Sequence, residues 1–349
     1  MDFGLFDWID ESGREIGETY EQRLQVLELA DQLGFYCYHL AEHHQTELST
    51  VPSPNLFLAA AAERTRRLRL GPLSVILPLY DPLRLLEEIC MLDQLSGGRL
   101  ELGLSRGSQG EHIQGDPELA RAMFNESLQV IVAGLRTGEL DFHGTHYSFD
   151  HVMTRLRPVQ KPYPPLWYPT SNIQSIPYIA AQRFNALFSV HLAPEFDRVA
   201  SMVRTYRAEL ESHAPEPTAL NAHVEAPRFG FVAHIHVAES DSLAVERARP
   251  AYDQFVHNFT YRYFRRGAAE RYTNRTNFDR ELEAHRVVVG APATVRAQLA
   301  DWIDRSGANY VVGCFTFGSL SLADIKDSLQ LFASEVMPGL SPALSARSG

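Results

Sequence analysis

Cysteine is scarce: Cys37, Cys90 and Cys314 are three among 349 residues, and no two stand in a CxxC pairing. They fit buried thiols in a reducing compartment better than a disulfide framework. Basic residues are in deficit, 32 against 43 acidic ones, for a net charge of −11. A nucleic-acid partner requires a basic face, and no dense block of Lys or Arg supplies one. Long hydrophobic runs are missing too, since no window approaches the roughly 18 apolar residues of a membrane span. The start, Met1-Asp2-Phe3-Gly4-Leu5-Phe6, leads into an acidic stretch rather than the basic and then apolar pattern of a secretory leader. No GxGxxG turn follows the first apolar run, which argues against a dinucleotide fold. No HExxH pair is present, which argues against zinc and for no resident metal. The expectation is a cytoplasmic protein, engaging neither membrane nor nucleic acid, with 45% hydrophobic residues to build its core.

What is present is a rhythm of short apolar runs and helical patterns. Strands are expected at 3–6, 36–40, 68–77, 100–104, 166–168, 186–190, 229–237 and 310–315. Helices are expected at 20–33, with Leu24, Leu27, Ala30 and Leu33 on one face and Gly34 as the stop, at 56–64 and at 120–135. Another opens at Asp81-Pro82, an N-cap acceptor followed by proline in the first turn, and ends near Ser96-Gly97-Gly98. Gly290-Ala291-Pro292 introduces one with Val295, Leu299 and Trp302 on a single face. Ser321 caps the last, with Asp324 in the capping-box position. Residues 141–165 break the rhythm and read as an inserted hairpin and loop. Residues 261–285, weakly periodic, read as a mobile lid or a plain surface excursion. Eight strands alternating with helices, without a linker, predict one α/β domain over 1–349: a (β/α)8 barrel with insertions.

Barrel sites lie where strands end. Glu42-His43-His44 follows the second strand, and histidine adjacent to histidine there serves a reacting centre, a metal or plain structure. Ser105-Arg106-Gly107-Ser108 follows the fourth; Arg106 suits an anion, or else a surface ion pair. After the fifth, Ser171, Asn172 and Ser175 are natural caps for the next helix, whose free N–H groups also suit a phosphate. Phe6, Trp8, Tyr80, Trp167 and His191 are candidates to line a pocket or to pack the core.

Several segments together resemble the bacterial luciferase-like flavin monooxygenases. They are Met1-Asp2-Phe3-Gly4, Leu40-Ala41-Glu42-His43-His44, Leu70-Gly71 through Val75-Ile76-Leu77-Pro78, and Leu92-Asp93-Gln94-Leu95-Ser96-Gly97-Gly98-Arg99-Leu100 running into Gly103-Leu104-Ser105-Arg106-Gly107. Tyr147-Ser148-Phe149, Arg157-Pro158-Val159-Gln160, Pro164-Pro165-Leu166, Gly290-Ala291-Pro292 and Glu335-Val336-Met337-Pro338 continue the likeness in order. The resemblance implies a luciferase-like barrel that binds FMN, delivered reduced by a partner flavin reductase. It implies a flavin hydroperoxide formed with O2 that oxidises a small organic substrate, and a homodimer paired through helices including 82–95. By the same resemblance His43 is the histidine beside the flavin, and Arg106 and Arg121 hold the FMN phosphate. Ser171, Asn172 and Ser175 form its phosphate turn, and Leu73-Ser74 is a non-prolyl cis peptide under the flavin ring.

Departures from the family bear on the substrate. Ser105 stands where luciferase has a reactive cysteine, the segment between Arg106 and Arg121 is shorter, and Ser108 replaces a larger residue. Relatives on the same barrel transfer hydride with a deazaflavin, and others bind flavin without turnover; these are the alternative readings.

Overall fold

The computed structural model describes residues 1–107, 116–193, 195–212, 216–265 and 277–340, with 262–265 described by backbone alone. The elements run β1 (Asp2–Asp7), α1 (Ile16–Leu33), β2 (Cys37–Leu40), α2 (Pro54–Arg64), β3 (Arg69–Pro72), β4 (Val75–Ile76), α3 (Pro82–Leu95), β5 (Leu102–Ser105), α4 (Pro117–Thr137). Then come β6 (Glu139–His143), β7 (Ser148–Met153), β8 (Leu166–Pro169), α5 (Ile176–Ala181), β9 (Asn185–Ser189), α6 (Phe196–Ser212), β10 (Phe229–Val237), α7 (Asp241–Arg265) and α8 (Phe278–Glu283). The chain closes with β11 (Val288–Gly290), α9 (Pro292–Ser306), β12 (Tyr310–Cys314), α10 (Leu322–Leu331) and α11 (Met337–Leu340).

Neighbouring strands follow the order β3-β2-β1-β12-β10-β9-β8-β5-β4, and every pair on that path is parallel. β3 and β4 are two halves of the third barrel strand, and a lone parallel bridge between Leu70 and Leu100 brings the ring round on itself. This is the expected α/β barrel. The run 68–77 was read as one strand, but it breaks at Leu73-Ser74, whose peptide bond is cis as the resemblance implied. β11 was not anticipated; it adds to the far end of β10, where Ile235, His236 and Val237 pair with it.

The caps behave as their chemistry requires. The Asp81 carboxylate accepts the Arg84 N–H at 3.0 Å, and the Ser321 hydroxyl accepts the Asp324 N–H at 3.1 Å. Gly34 ends α1 at φ 83°. The last helix differs from a plain 3.6-residue repeat: a π turn over Phe332–Val336 follows α10, so Ile325, Leu329, Phe332 and Val336 all stay buried. The insert is an antiparallel hairpin, β6 with β7, and the Glu126 carboxylate holds its tip by accepting the N–H groups of Thr145, His146 and Tyr147.

The N-terminal end of the barrel is plugged by a polar cluster. Glu101, with no exposure, accepts Tyr36 Oη and Trp167 Nε1 at 2.5 Å each and pairs with Arg69. His39 lies above it, 3.0 Å from the Tyr310 hydroxyl, with the Trp167 ring edge-on at 4.7 Å. Gly4 leaves the room this needs, because a Cβ there would sit 1.9 Å from Tyr310 Oη. Buried charges persist only when paired and hydrogen-bonded, and here each is. Trp167, a candidate pocket residue, is core. The three cysteines are buried free thiols, as expected.

Candidate active site

The C-terminal strand ends divide into two arcs. One runs over β2, β3/β4, β5 and β8, the other over β1, β12, β10 and β9. The first arc collects every residue that the resemblance assigned to the flavin site except Arg121, which lies on α4.

At the end of β2 the chain turns through Glu42-His43-His44. Glu42 is buried; one oxygen contacts His44 Nε2 at 2.8 Å and the other accepts the Ile76 N–H at 2.9 Å. Burial raises its pKa against these bonds and that of the Tyr80 hydroxyl. Glu42 thus ties β2 to the chain just past the cis Leu73-Ser74 bond. Leu73 and Ser74 are themselves buried there, and His43 stands partly exposed. Of the histidine pair, His44 is committed to Glu42.

Across the same arc, Gly107 turns the chain after Arg106 with φ 84°, a backbone conformation that suits glycine. Arg106 has no ion-pair partner among the described residues, and Arg121 approaches only Glu118, at 3.8 Å on the surface. Both arginines act electrostatically on Tyr168 at the end of β8, while burial pushes that phenol up. Just past β8 the Asn172 side chain caps a short turn by accepting the Gln174 N–H at 3.1 Å. Ser171 and Asn172 are exposed. Ser175 does not cap: it already lies in helical conformation and makes no capping bond, since Asn172 opened the turn three residues earlier. Ser108 lies outside the described residues, as do 266–276 of the expected lid. Of the rest of that segment, 261–265 complete α7 and Phe278–Glu283 form α8, so those parts are regular helix.

The second arc holds residues that sequence reasoning missed. Ile9, fully buried past β1, has φ 49°, unfavourable for a β-branched side chain. It is held there by its N–H on Asp7 Oδ1 and by Thr50, whose N–H and hydroxyl both donate to its carbonyl. Asp10 follows, accepting Asn258 Nδ2 at 2.9 Å and the Gly318 N–H at 3.1 Å; burial pushes its pKa up to about 7. Trp8 packs on Phe6 and on His191 and His234; Phe6 and Trp8 are buried and His191 is partly exposed. His234 and His236 were legible as a signal, two polar residues at alternate positions in the otherwise apolar β10. Among the described residues no group of histidines, cysteines or carboxylates is placed to hold a metal, and no helix is long and apolar enough to cross a membrane.

Comparison with known proteins agrees with this architecture. The family model of luciferase-like monooxygenases matches residues 1–310. An uncharacterized protein, y4wF, of Sinorhizobium fredii is 37% identical over 338 residues, covering 96% of each chain. The oxygenase component of flavin-dependent trigonelline monooxygenase from Acinetobacter baylyi is 25% identical over 93% of this chain and 91% of its own. The oxygenating constituent of 3,6-diketocamphane monooxygenase from Pseudomonas putida, solved with FMN, superposes with a TM-score of 0.80 at 18% identity, covering 97% of this chain and 98% of its own. On the family match and the strand-end geometry together, this chain belongs to the luciferase-like monooxygenases.

Proposed function

We propose that this chain is the oxygenase component of a two-component system, taking reduced FMN from a separate flavin reductase and using O2 to oxidise a small organic substrate in the cytoplasm. The observation that carries the reading is the placement of Arg106 at the glycine turn after β5, with no ion-pair partner among the described residues, on the same arc as the turn that Asn172 opens after β8. Arg121 acts electrostatically on Tyr168 there, as Arg106 does. A guanidinium with no ion-pair partner among the described residues, a second one acting on the same strand end, and backbone N–H groups at a turn suit a doubly charged phosphate. The residues therefore fit FMN: Arg106, Arg121 and the Ser171-Asn172-Ser175 turn would hold its phosphate, and Leu73-Ser74 would support its ring system. The names of the Acinetobacter relative and of the FMN-bound Pseudomonas structure support the same cofactor.

When bound, reduced FMN supplies the reducing equivalents that activate O2. The protein's own share is placement and protons. His43 would hold or release a proton at its imidazole during the reaction. Glu42 fixes the loop on which His43 sits, through His44 and the Ile76 N–H. The apolar strand ends keep water out. Exposed Leu56 on α2 with Met91 and Leu95 on α3 supports a homodimer that buries this face.

The test is anaerobic titration with reduced FMN and, separately, a reduced deazaflavin, followed by mixing with oxygenated buffer. Tight FMN binding, weakened by Arg106→Ala, with an oxygen-dependent absorbance transient, is expected. Tight binding of the deazaflavin alone, without reaction with oxygen, would move the chain to hydride transfer.

A further inference from the structure

Side chains alternate along β10. Phe231 points outward onto Trp302 and Phe196 of the surrounding helices, so His234 points inward, towards the mouth. It is 1% exposed, and neither ring nitrogen has a hydrogen-bond partner. Its surroundings are rings: Trp8 stacked at 5.6 Å, Phe255 at 4.3 Å, Tyr252 and Phe317 at 5.2 Å, and His191 at 5.7 Å. A buried polar group left unpaired is costly, and in native proteins it commonly marks a place that something else completes.

Among the described residues no neighbour completes it. Of the polar rings against it, Tyr252 makes no hydrogen bond to either nitrogen, and His191 has its Nδ1 engaged by Ser189 Oγ at 2.9 Å. The Asp10 carboxylate is taken by Asn258 and Gly318. His236, two positions on, is also unpartnered, but it makes none of these ring contacts and lies where β11 joins the strand. Burial holds both His234 and His191 neutral, so each ring offers one N–H donor and one lone pair. The cluster sits on the arc opposite the proposed phosphate site, and His191 and Phe259 are its partly exposed members at the mouth.

We propose that His234 is the specificity-determining residue of the substrate subsite, hydrogen-bonding an oxygen carried by an uncharged, planar aromatic substrate whose ring enters past His191 and lies against Trp8. Aromatic walls favour a flat ring. Among the described residues the cluster holds no cation or free carboxylate, which disfavours a charged one. An oxygen on the ring relieves the unpaired imidazole, whereas the bare hydrocarbon leaves it unpaired, and this is the source of discrimination.

This rests on reading the mouth as an oxygenase site, so the test omits flavin and oxygen. Two matched pairs, phenol with benzene and 2-naphthol with naphthalene, are titrated calorimetrically into the wild-type chain, His234→Phe and His234→Asn. In the wild type at least one oxygenated probe should bind about tenfold tighter than its hydrocarbon partner. His234→Phe should bring that pair to equal affinity, and His234→Asn should keep part of the preference. Reduced FMN binding, measured in parallel, should be the same in all three, which separates failure of the subsite from failure of the cofactor reading. Equal binding within both pairs in the wild type, no binding of any probe, or a preference that survives in His234→Phe would overturn the proposal.

Discussion

Asp10 accepts a 2.9 Å hydrogen bond from the Asn258 side-chain amide and thereby ties the end of β1 to α7, the helix that lays Phe255 and Phe259 over the mouth. Asn258 is itself buried, and its other contacts are the Glu11 carbonyl and the Gln254 amide.

The titration of Asp10 makes this tie sensitive to pH. Burial lifts its folded pKa to about 7, above the usual carboxylate value near 3.9. The folded state then keeps a proton that the unfolded chain has released, so this stabilising contribution is whole below about pH 4 and gone once pH passes about 7. Its ceiling is about 4 kcal/mol, from roughly three pK units. Asp10→Asn, neutral throughout, should gain in Tm relative to the wild type by several degrees between pH 5 and pH 8. A difference that does not change with pH would rule this out.

Buried histidines act in the opposite sense. Burial lowers His39 and His191 to about 3, His236 to about 4, and His234 well below the ordinary value. Their contribution is whole above about pH 6.5 and is lost as pH falls, because only the unfolded chain takes up the protons. Four such groups outweigh one Asp10. The urea midpoint should fall steadily between pH 6.5 and pH 4, and a flat or rising midpoint would contradict the assignment.

The two ends of the barrel should respond differently to losing a charge. Glu101→Ala strands Arg69, Tyr36 and Trp167 in the plug and should cost about 3–5 kcal/mol in chemical denaturation. Arg106→Ala removes no ion pair among the described residues and should shift stability by less than about 0.5 kcal/mol, while weakening FMN binding at least tenfold. Equal stability losses would mean that Arg106 is structural.

His43→Ala should lower turnover of an identified substrate by about 10²–10⁴-fold with FMN affinity nearly unchanged. Wild-type turnover in that variant would remove His43 from the chemistry.

Much of the barrel was legible because local chemistry and global fold agree. Asp81 and Ser321 cap where their side chains predict, Gly34 stops α1, and Val295, Leu299 and Trp302 bury the face that their spacing defines. The first arc was legible by likeness to a family, residue by residue. Ser175 was misplaced by one turn because Asn172, an equally good cap, stands earlier in the chain. The third strand breaks at Pro72-Leu73-Ser74, residues read as part of one continuous run, though the resemblance placed a cis peptide at Leu73-Ser74.

Local order was thus set by the sequence alone: strand and helix periods, caps, the absence of a basic face or a membrane span, and the loops that carry His43 and Arg106. Tertiary structure decided which polar groups are satisfied. Glu101 and His234 are both buried polar residues on barrel strands or next to them, and nothing local to either separates their fates. Glu101 meets Arg69, Tyr36 and Trp167, brought from distant segments, whereas among the described residues His234 meets rings, one of them another histidine, and no hydrogen-bond partner. Burial and pairing depend on contacts far apart in the chain, so the plug and the unpaired imidazole appear only once the ring of strands has closed.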